Sequence, residues 1–217
     1  IYSLKHWCYN FCMVTAQNIV TACWIIFLLY WFISWRSVKP TKEVIWDADR
    51  FRWITIGVII IILLFNRFWL SPAFYLPGCH TDWRSCHYDI FSSPQSASLI
   101  FQVISVVFAV TGLIIAIIAR KTLAGNWSSN IDLKKGHELI TTGIYGYVRH
   151  PIYTGAFLMG IGTVVLLQTP GIFLIFLALF CFFVFKLKLE EKFLTKHFPK
   201  EYPAYKKRVK ALIPFIW

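Results

Sequence analysis

Residues 157–185 read FLMGIGTVVLLQTPGIFLIFLALFCFFVF, two uncharged apolar runs parted by Pro170 and Gly171. Their reading decides the fold. A helix needs roughly 20 apolar residues to cross the ~30 Å hydrocarbon core, because no water there can satisfy the backbone. With the first run extended back to Ile152, residues 152–169 and 171–185 are each predicted to span. The Pro-Gly pair between them predicts a tight turn joining two antiparallel spans.

Working outward, three further runs have the same character. Residues 13–35 and 97–119 carry no charge, and a run beginning at Trp53 continues through IGVIIIILLF to Asn66 and Arg67. Arg67 lies near an end, where its long stem can carry the guanidinium to the interface. The 217 residues are 58% hydrophobic and include 10 Trp and 20 Phe, too apolar for an ordinary soluble domain. The expected class is all-α: a polytopic membrane helix bundle of five transmembrane helices with a cytosolic, amphipathic, helical carboxyl-terminal tail. No linker, repeat or low-complexity tract divides it. A single domain over 1–217 is expected, with three amino-terminal spans in 1–119 and the chemistry in 120–217.

Charge placement sets the expected topology. Nineteen of the 22 Lys and Arg residues fall in 36–52, in 120–150 and after residue 185. Loops rich in Lys and Arg stay on the cytoplasmic side. This predicts an amino terminus outside and a carboxyl tail inside, and gives the net charge of +12 a natural partner in anionic headgroups. A nucleic-acid module would spread its basic residues over a folded polar domain, and no soluble segment here is large enough to make one. No short secretory signal is evident, and the first residue is Ile rather than Met. In the expected outer loop CHTDWRSCHYD, Cys79 and Cys86 are read as a short disulfide, with free thiols as the alternative. A zinc site with His80 and His87 lacks a common ligand spacing, so no metal is expected. Cys8, Cys12, Cys23 and Cys181 are read as packing residues. In the fourth span, Ala156 and Gly160 form a small-xxx-small pair suited to close helix packing.

Polar side chains capable of chemistry concentrate in two places. The first is GYVRHPIYTG, residues 146–155, at the mouth of the fourth span. Pro151 suits the first helical turn, where an N–H has no partner anyway, which puts His150 near the cap. Such a helix start favours a carboxylate or phosphate, and Arg149 adds a fixed positive charge. The same residues also suit a plain lipid-boundary anchor. The second place is Glu190 and Glu191, which the hairpin brings to the same side. Either carboxylate can accept a ligand's hydroxyls or pair with a cation, and an ordinary salt bridge to Lys186 or Lys188 is the competing reading. The tail that carries them is predicted to continue as an amphipathic helix, KLKLEEKFLTKHF, ended by Pro199. EYPAYKKRV then forms a short helix with Pro203 in its first turn.

GHELITTGIYGYVRHPIYTG, followed after the hairpin by LEEKFLTKHFPKEYPAYKKRV and IPFIW, resembles the isoprenylcysteine carboxyl methyltransferases and their phospholipid-methyltransferase relatives over about residues 126–217. The resemblance implies an integral membrane enzyme that takes S-adenosylmethionine from the cytosol and methylates a lipophilic acceptor, prenylcysteine-like or lipid, from the bilayer. By position, it implies cofactor binding by Asn130, His137, Glu138, Leu139, Ile140, Tyr145, His150, Pro151, Ile152, Tyr153 and Glu190. The family's substrate-contacting arginine falls on Lys186, which cannot make arginine's two parallel bonds to a carboxylate. Asn130 stands for a glutamine of eukaryotic relatives and Pro199 for a glycine. Five spans imply a prokaryotic-type, inner-membrane member. No dedicated base is evident; Arg149, Glu190 and Glu191 are positioning candidates. A phospholipid N-methyltransferase, a thiol S-methyltransferase, a sterol-type reductase and a nonenzymatic scaffold or transporter are the alternatives. The last expects ionisable groups near the bilayer midplane rather than at its edge.

Overall fold

A computed structural model describes residues 2–34, 41–46, 98–127, 131–134, 136 and 138–216. In chain order its elements are α1 (Tyr2–Ser34), β1 (Thr41–Trp46), α2 (Leu99–Leu123), β2 (Ile131–Lys134), α3 (Pro151–Leu167), α4 (Pro170–His197) and α5 (Glu201–Arg208). Four of the five expected spans correspond to α1, α2, α3 and α4; the second, like Cys79 and Cys86, lies outside the described residues. Stretches in α1, α2 and α4 are long and apolar enough to cross a membrane, and α3 is a shorter apolar helix. The helical class therefore stands, with one small addition. The antiparallel ladder β1–β2 pairs Thr41 with Lys134 and Trp46 with Ile131, so the two basic loops are joined by backbone pairing.

The bundle is organised around the crossing of α2 and α3. Gly112 and Gly155 face each other so closely that a Cβ on either would stand 2.5 Å from the other's carbonyl oxygen. Gly162 presses in the same way on Ser105, and Ala109, Ala116 and Met159 beside the seam are fully buried. Small residues at three- and four-residue spacing let the backbones touch, and in lipid that contact is the main source of helix association. The seam thus runs through Gly155, Met159 and Gly162, one step round the helix from the expected Ala156 and Gly160. Gly160 instead faces the Phe176 ring of α4. On the other flank, α1 contributes Ala16, Val20 and Cys23 to the same core, and Trp24 donates through Nε1 to Thr163 Oγ1 at 3.0 Å.

Two local expectations are corrected. Pro170 and Gly171 do not form the turn; they open α4. Gln168 takes the left-handed conformation at φ 51°, and Thr169 caps α4 by accepting from the Ile172 N–H at 3.3 Å. Proline at the first helical position loses no hydrogen bond, so the pair is a helix start. Arg120, counted above as a loop charge, lies in the last turn of α2 and is 2% exposed. Its guanidinium donates to Ser34 O at 2.7 Å and Ala124 O at 2.6 Å and lies 4.6 Å from the Trp127 ring centre. One buried cation thereby satisfies carbonyls at the ends of both α1 and α2.

Candidate functional site at the mouth of α3

The site forms where the start of α3 meets the polar half of α4 and the chain end. Before α3, the TTGIYG stretch turns through a tight helical turn, Gly143–Gly146. Gly143 sits at φ 61°, a conformation that penalises any Cβ, so glycine is required to aim Tyr145 inward. Tyr145 is buried, and its carbonyl accepts from Tyr205 Oη of α5 at 2.6 Å. Burial pushes the Tyr145 phenol well above its ordinary pKa, and the nearby Glu190 charge adds to the shift. The α5 phenols Tyr202 and Tyr205 are raised for the same first reason.

Pro151 opens α3 as expected, with His150 immediately before it. Less legible was the clamp on this doorway. The Arg149 N–H donates to Lys210 O at 2.8 Å, the His150 N–H to Ala211 O at 3.0 Å, and Thr154 Oγ1 to Leu212 O at 2.8 Å. The chain after α5 therefore lies alongside the doorway, with Val148 and Lys210 paired in parallel. Of the N–H groups at this helix start, that of the cap residue His150 is thus taken up by the protein's own Ala211 carbonyl.

Glu190 and Glu191 have different surroundings. Glu191 is buried and accepts from Arg149 at 3.0 Å (Nε) and 2.5 Å (Nη2), and from Lys206 Nζ at 2.6 Å. His150 Nε2 lies 3.4 Å from the same carboxylate. Arg149 completes its bonding on the carbonyls of Val209 and Lys206. The expected partners Lys186 and Lys188 are replaced by Arg149 and Lys206, because Glu191 faces α5 and the doorway. Glu190, one residue along and about 100° round the helix, faces the other way. It accepts from Tyr153 Oη at 3.1 Å. The Tyr153 ring stacks near His150 with centres 5.7 Å apart, and Lys186 Nζ stands 6.0 Å from the Tyr153 ring centre.

The structure therefore gathers Tyr145, His150, Pro151, Tyr153, Lys186 and Glu190 at one junction. Ile152 lies in the same first turn of α3, and Glu138, Leu139 and Ile140 lie on the irregular segment that leads to it. Asn130 and His137 lie outside the described residues. A half-buried carboxylate holding one hydrogen bond keeps capacity for a ligand's hydroxyls, since a carboxylate offers about four acceptor positions. The electron-rich faces of Tyr145 and Tyr153 beside it suit a cation. His150 Nε2, also buried, lies against Glu191 on the clamp side rather than against Glu190. This set suits a ligand that offers hydroxyls and a positive charge.

These features define a helical membrane protein with a cluster of polar and aromatic side chains at the polar edge of its α3–α4 hairpin. Within that class, residues 102–196 match the isoprenylcysteine carboxyl methyltransferase (ICMT) family, and the matched segment holds the whole junction except Tyr202, Tyr205 and the chain end. The protein-S-isoprenylcysteine O-methyltransferase of Saccharomyces cerevisiae is 37% identical over 123 residues, 55% of this chain and 52% of that one. That of Schizosaccharomyces pombe is 43% identical over 83 residues, 38% of this chain and 35% of that one. The chain thus spans about half or less of the length of these relatives. Among solved structures, the eukaryotic intramembrane Ras methyltransferase ICMT aligns with a TM-score of 0.50 over 79% of this chain and 55% of that one, at 23% identity, which speaks for the fold.

Proposed function

We propose that this protein is an S-adenosylmethionine-dependent membrane methyltransferase that esterifies the carboxylate of a lipophilic, prenylcysteine-like acceptor. The observation that carries this reading is the junction of Tyr145, Tyr153 and Glu190 inside the segment that matches the methyltransferase family. A family of methyltransferases implies a methyl donor, and the donor set described above fits S-adenosylmethionine in particular. Glu190 is assigned to the ribose hydroxyls, with Tyr153 Oη fixing the carboxylate's orientation. Tyr145, His150, Pro151 and Ile152 line the cofactor, and Glu138, Leu139 and Ile140, with Asn130 and His137, close over it. Arg149 and Glu191 are assigned to positioning.

S-adenosylmethionine supplies a methyl group already activated on a sulfonium. An ionised carboxylate is nucleophilic enough to accept it without a dedicated base, so holding the two in line and excluding water supply most of the acceleration. Lys186 is assigned to the acceptor carboxylate as a point charge. The matched relatives are eukaryotic, so the prokaryotic inner-membrane placement is set aside. The basic loops and tail support a cytosolic site and carboxyl end, and the chain is read as one membrane domain with its catalytic half in 120–217.

Reconstituted protein supplied with methyl-labelled cofactor and a prenylated cysteine should yield a base-labile methyl ester. A stable N-methyl product on phosphatidylethanolamine instead would favour the phospholipid reading, which the lysine at position 186 keeps in play. Cofactor binding should be abolished or much weakened in Tyr145→Ala and His150→Ala proteins that still fold; unchanged binding in both would remove the site assignment.

A further inference from the structure

After α5 the chain returns to the bundle. Leu212 and Ala211 pack on Leu187 of α4, with Tyr153 and Phe157 of α3 against them. Leu212 therefore sits at the depth of the first two turns of α3, where an apolar helix begins. The four residues that follow, Ile213–Ile216, form a closed turn in which the Ile216 N–H donates to Ile213 O at 3.2 Å. Their side chains are not folded back onto the protein: Phe215 is 90% exposed, Ile216 74% and Ile213 47%. Phe215 is held at φ 66°, a conformation disfavoured for a bulky residue and maintained here without burial of its ring.

Just before this apolar turn stands a cluster of cations. Lys207, Arg208 and Lys210 are all exposed, Lys207 and Arg208 closing α5 and Lys210 two residues beyond it. None makes a salt bridge among the described residues; Glu191 is bonded by Arg149 and Lys206 instead. Exposed apolar side chains at the level of a helix mouth, directly preceded by unneutralised basic residues, match the two layers of a membrane surface. The rings and branched chains suit the acyl boundary and the cations suit the phosphates above it.

We propose that Ile213, Phe215 and Ile216 form an interfacial wedge inserted at the acyl boundary beside the mouth of α3, with Lys207, Arg208 and Lys210 binding anionic phospholipid headgroups above it. The Leu212 carbonyl bond to Thr154 and the Ala211 carbonyl bond to His150 tie this wedge to the doorway.

The test places a photo-crosslinking phenylalanine analogue at position 215 of the full chain, reconstituted in vesicles of phosphatidylcholine with phosphatidylglycerol. After irradiation, intact mass and peptide mapping should show adducts of a whole phospholipid at this residue. Phosphatidylglycerol should be enriched among the adducts about twofold or more over its share of the bilayer. The enrichment should vanish in K207Q/R208Q/K210Q while lipid crosslinking itself persists. Crosslinks to the protein's own chain, or to water alone, would overturn the wedge; equal labelling of both lipids in the unsubstituted protein would overturn the headgroup site. The same analogue at Ile213 guards against a folding defect at position 215. Neither result depends on methyl transfer.

Discussion

Glu191 is the keystone of the clamp on the doorway, and its removal has a calculable cost. In Glu191→Leu the carboxylate that accepts both Nε and Nη2 of Arg149 disappears, while Arg149 stays in a place where its side chain is only 8% exposed. Breaking a buried ion pair by deleting one partner typically costs about 3–5 kcal/mol, since the other charge is left uncompensated. Lys206 adds little, because its side chain is 50% exposed and water takes over its solvation. For a chain of this length, 3–5 kcal/mol corresponds to a fall of about 6–20 °C in the unfolding midpoint. The assay is thermal unfolding of the detergent-solubilised protein, with Glu191→Gln and the double variant Arg149→Met/Glu191→Leu in parallel. The glutamine keeps an acceptor and should lose less than the leucine. The double variant should recover part of the loss, because it removes the stranded charge. A leucine variant as stable as the parent, or a double variant no better than the single, would refute the view that this carboxylate exists to neutralise Arg149.

Tyr153→Phe removes the hydroxyl that orients Glu190 at 3.1 Å; a net loss of about 1 kcal/mol predicts roughly fivefold weaker S-adenosylmethionine binding by calorimetry, with little change in stability. Gly155→Leu drives a Cβ to 2.5 Å from Gly112 O, and since backbone cannot step aside it should cost upward of about 1–3 kcal/mol in thermal unfolding. Gly160→Ala, which meets only the Phe176 ring, should cost less. Lys186→Met should raise the acceptor KM by about tenfold or more with cofactor affinity unchanged, the loss expected for a charge-assisted bond; an unchanged KM would free Lys186 of its assigned role. Because burial raises the Tyr145, Tyr202 and Tyr205 phenols, the folded protein keeps protons that the unfolded chain loses above the ordinary value near 10. Stability should therefore fall as pH rises beyond about 10, and absorbance titration of the folded protein should find a group of late-ionising tyrosines.

The membrane spans were legible because the bilayer imposes one length and one polarity on each, and hydropathy reports both. The seam was not, although its signal was present: Ser105, Ala109, Gly112 and Ala116 recur at four-, three- and four-residue spacing in α2. A small residue on one helix becomes informative only when paired with one on its partner. The Ala156–Gly160 spacing looked suitable by itself, yet the facing stripe on α2 selects Gly155 and Gly162. Arg120 was misplaced for a related reason, since sequence shows where a charge occurs along the chain but not which carbonyls end nearby. The amphipathic reading of KLKLEEKFLTKHF put Leu187 and Phe193 on one apolar face, and both are buried, but it concealed that Glu191 is buried as well.

The division of labour between Glu190 and Glu191 shows where chemistry separates from architecture. Both were plausible ligands in the sequence, as adjacent carboxylates at the end of one span. A helix turns about 100° per residue, so two neighbours cannot face the same partner. One carboxylate receives Arg149 and Lys206 and is fully engaged in the fold; the other accepts from the neutral Tyr153 hydroxyl, with the Lys186 cation nearby. A carboxylate bonded to two cations has little left to offer a ligand, whereas one oriented by a hydroxyl keeps both its charge and its acceptor positions. The second arrangement suits the cationic, hydroxyl-bearing cofactor proposed above. The first is what keeps α5 and the chain end in place, so that Tyr145, held through the Tyr205 hydroxyl, closes the other side of the same junction.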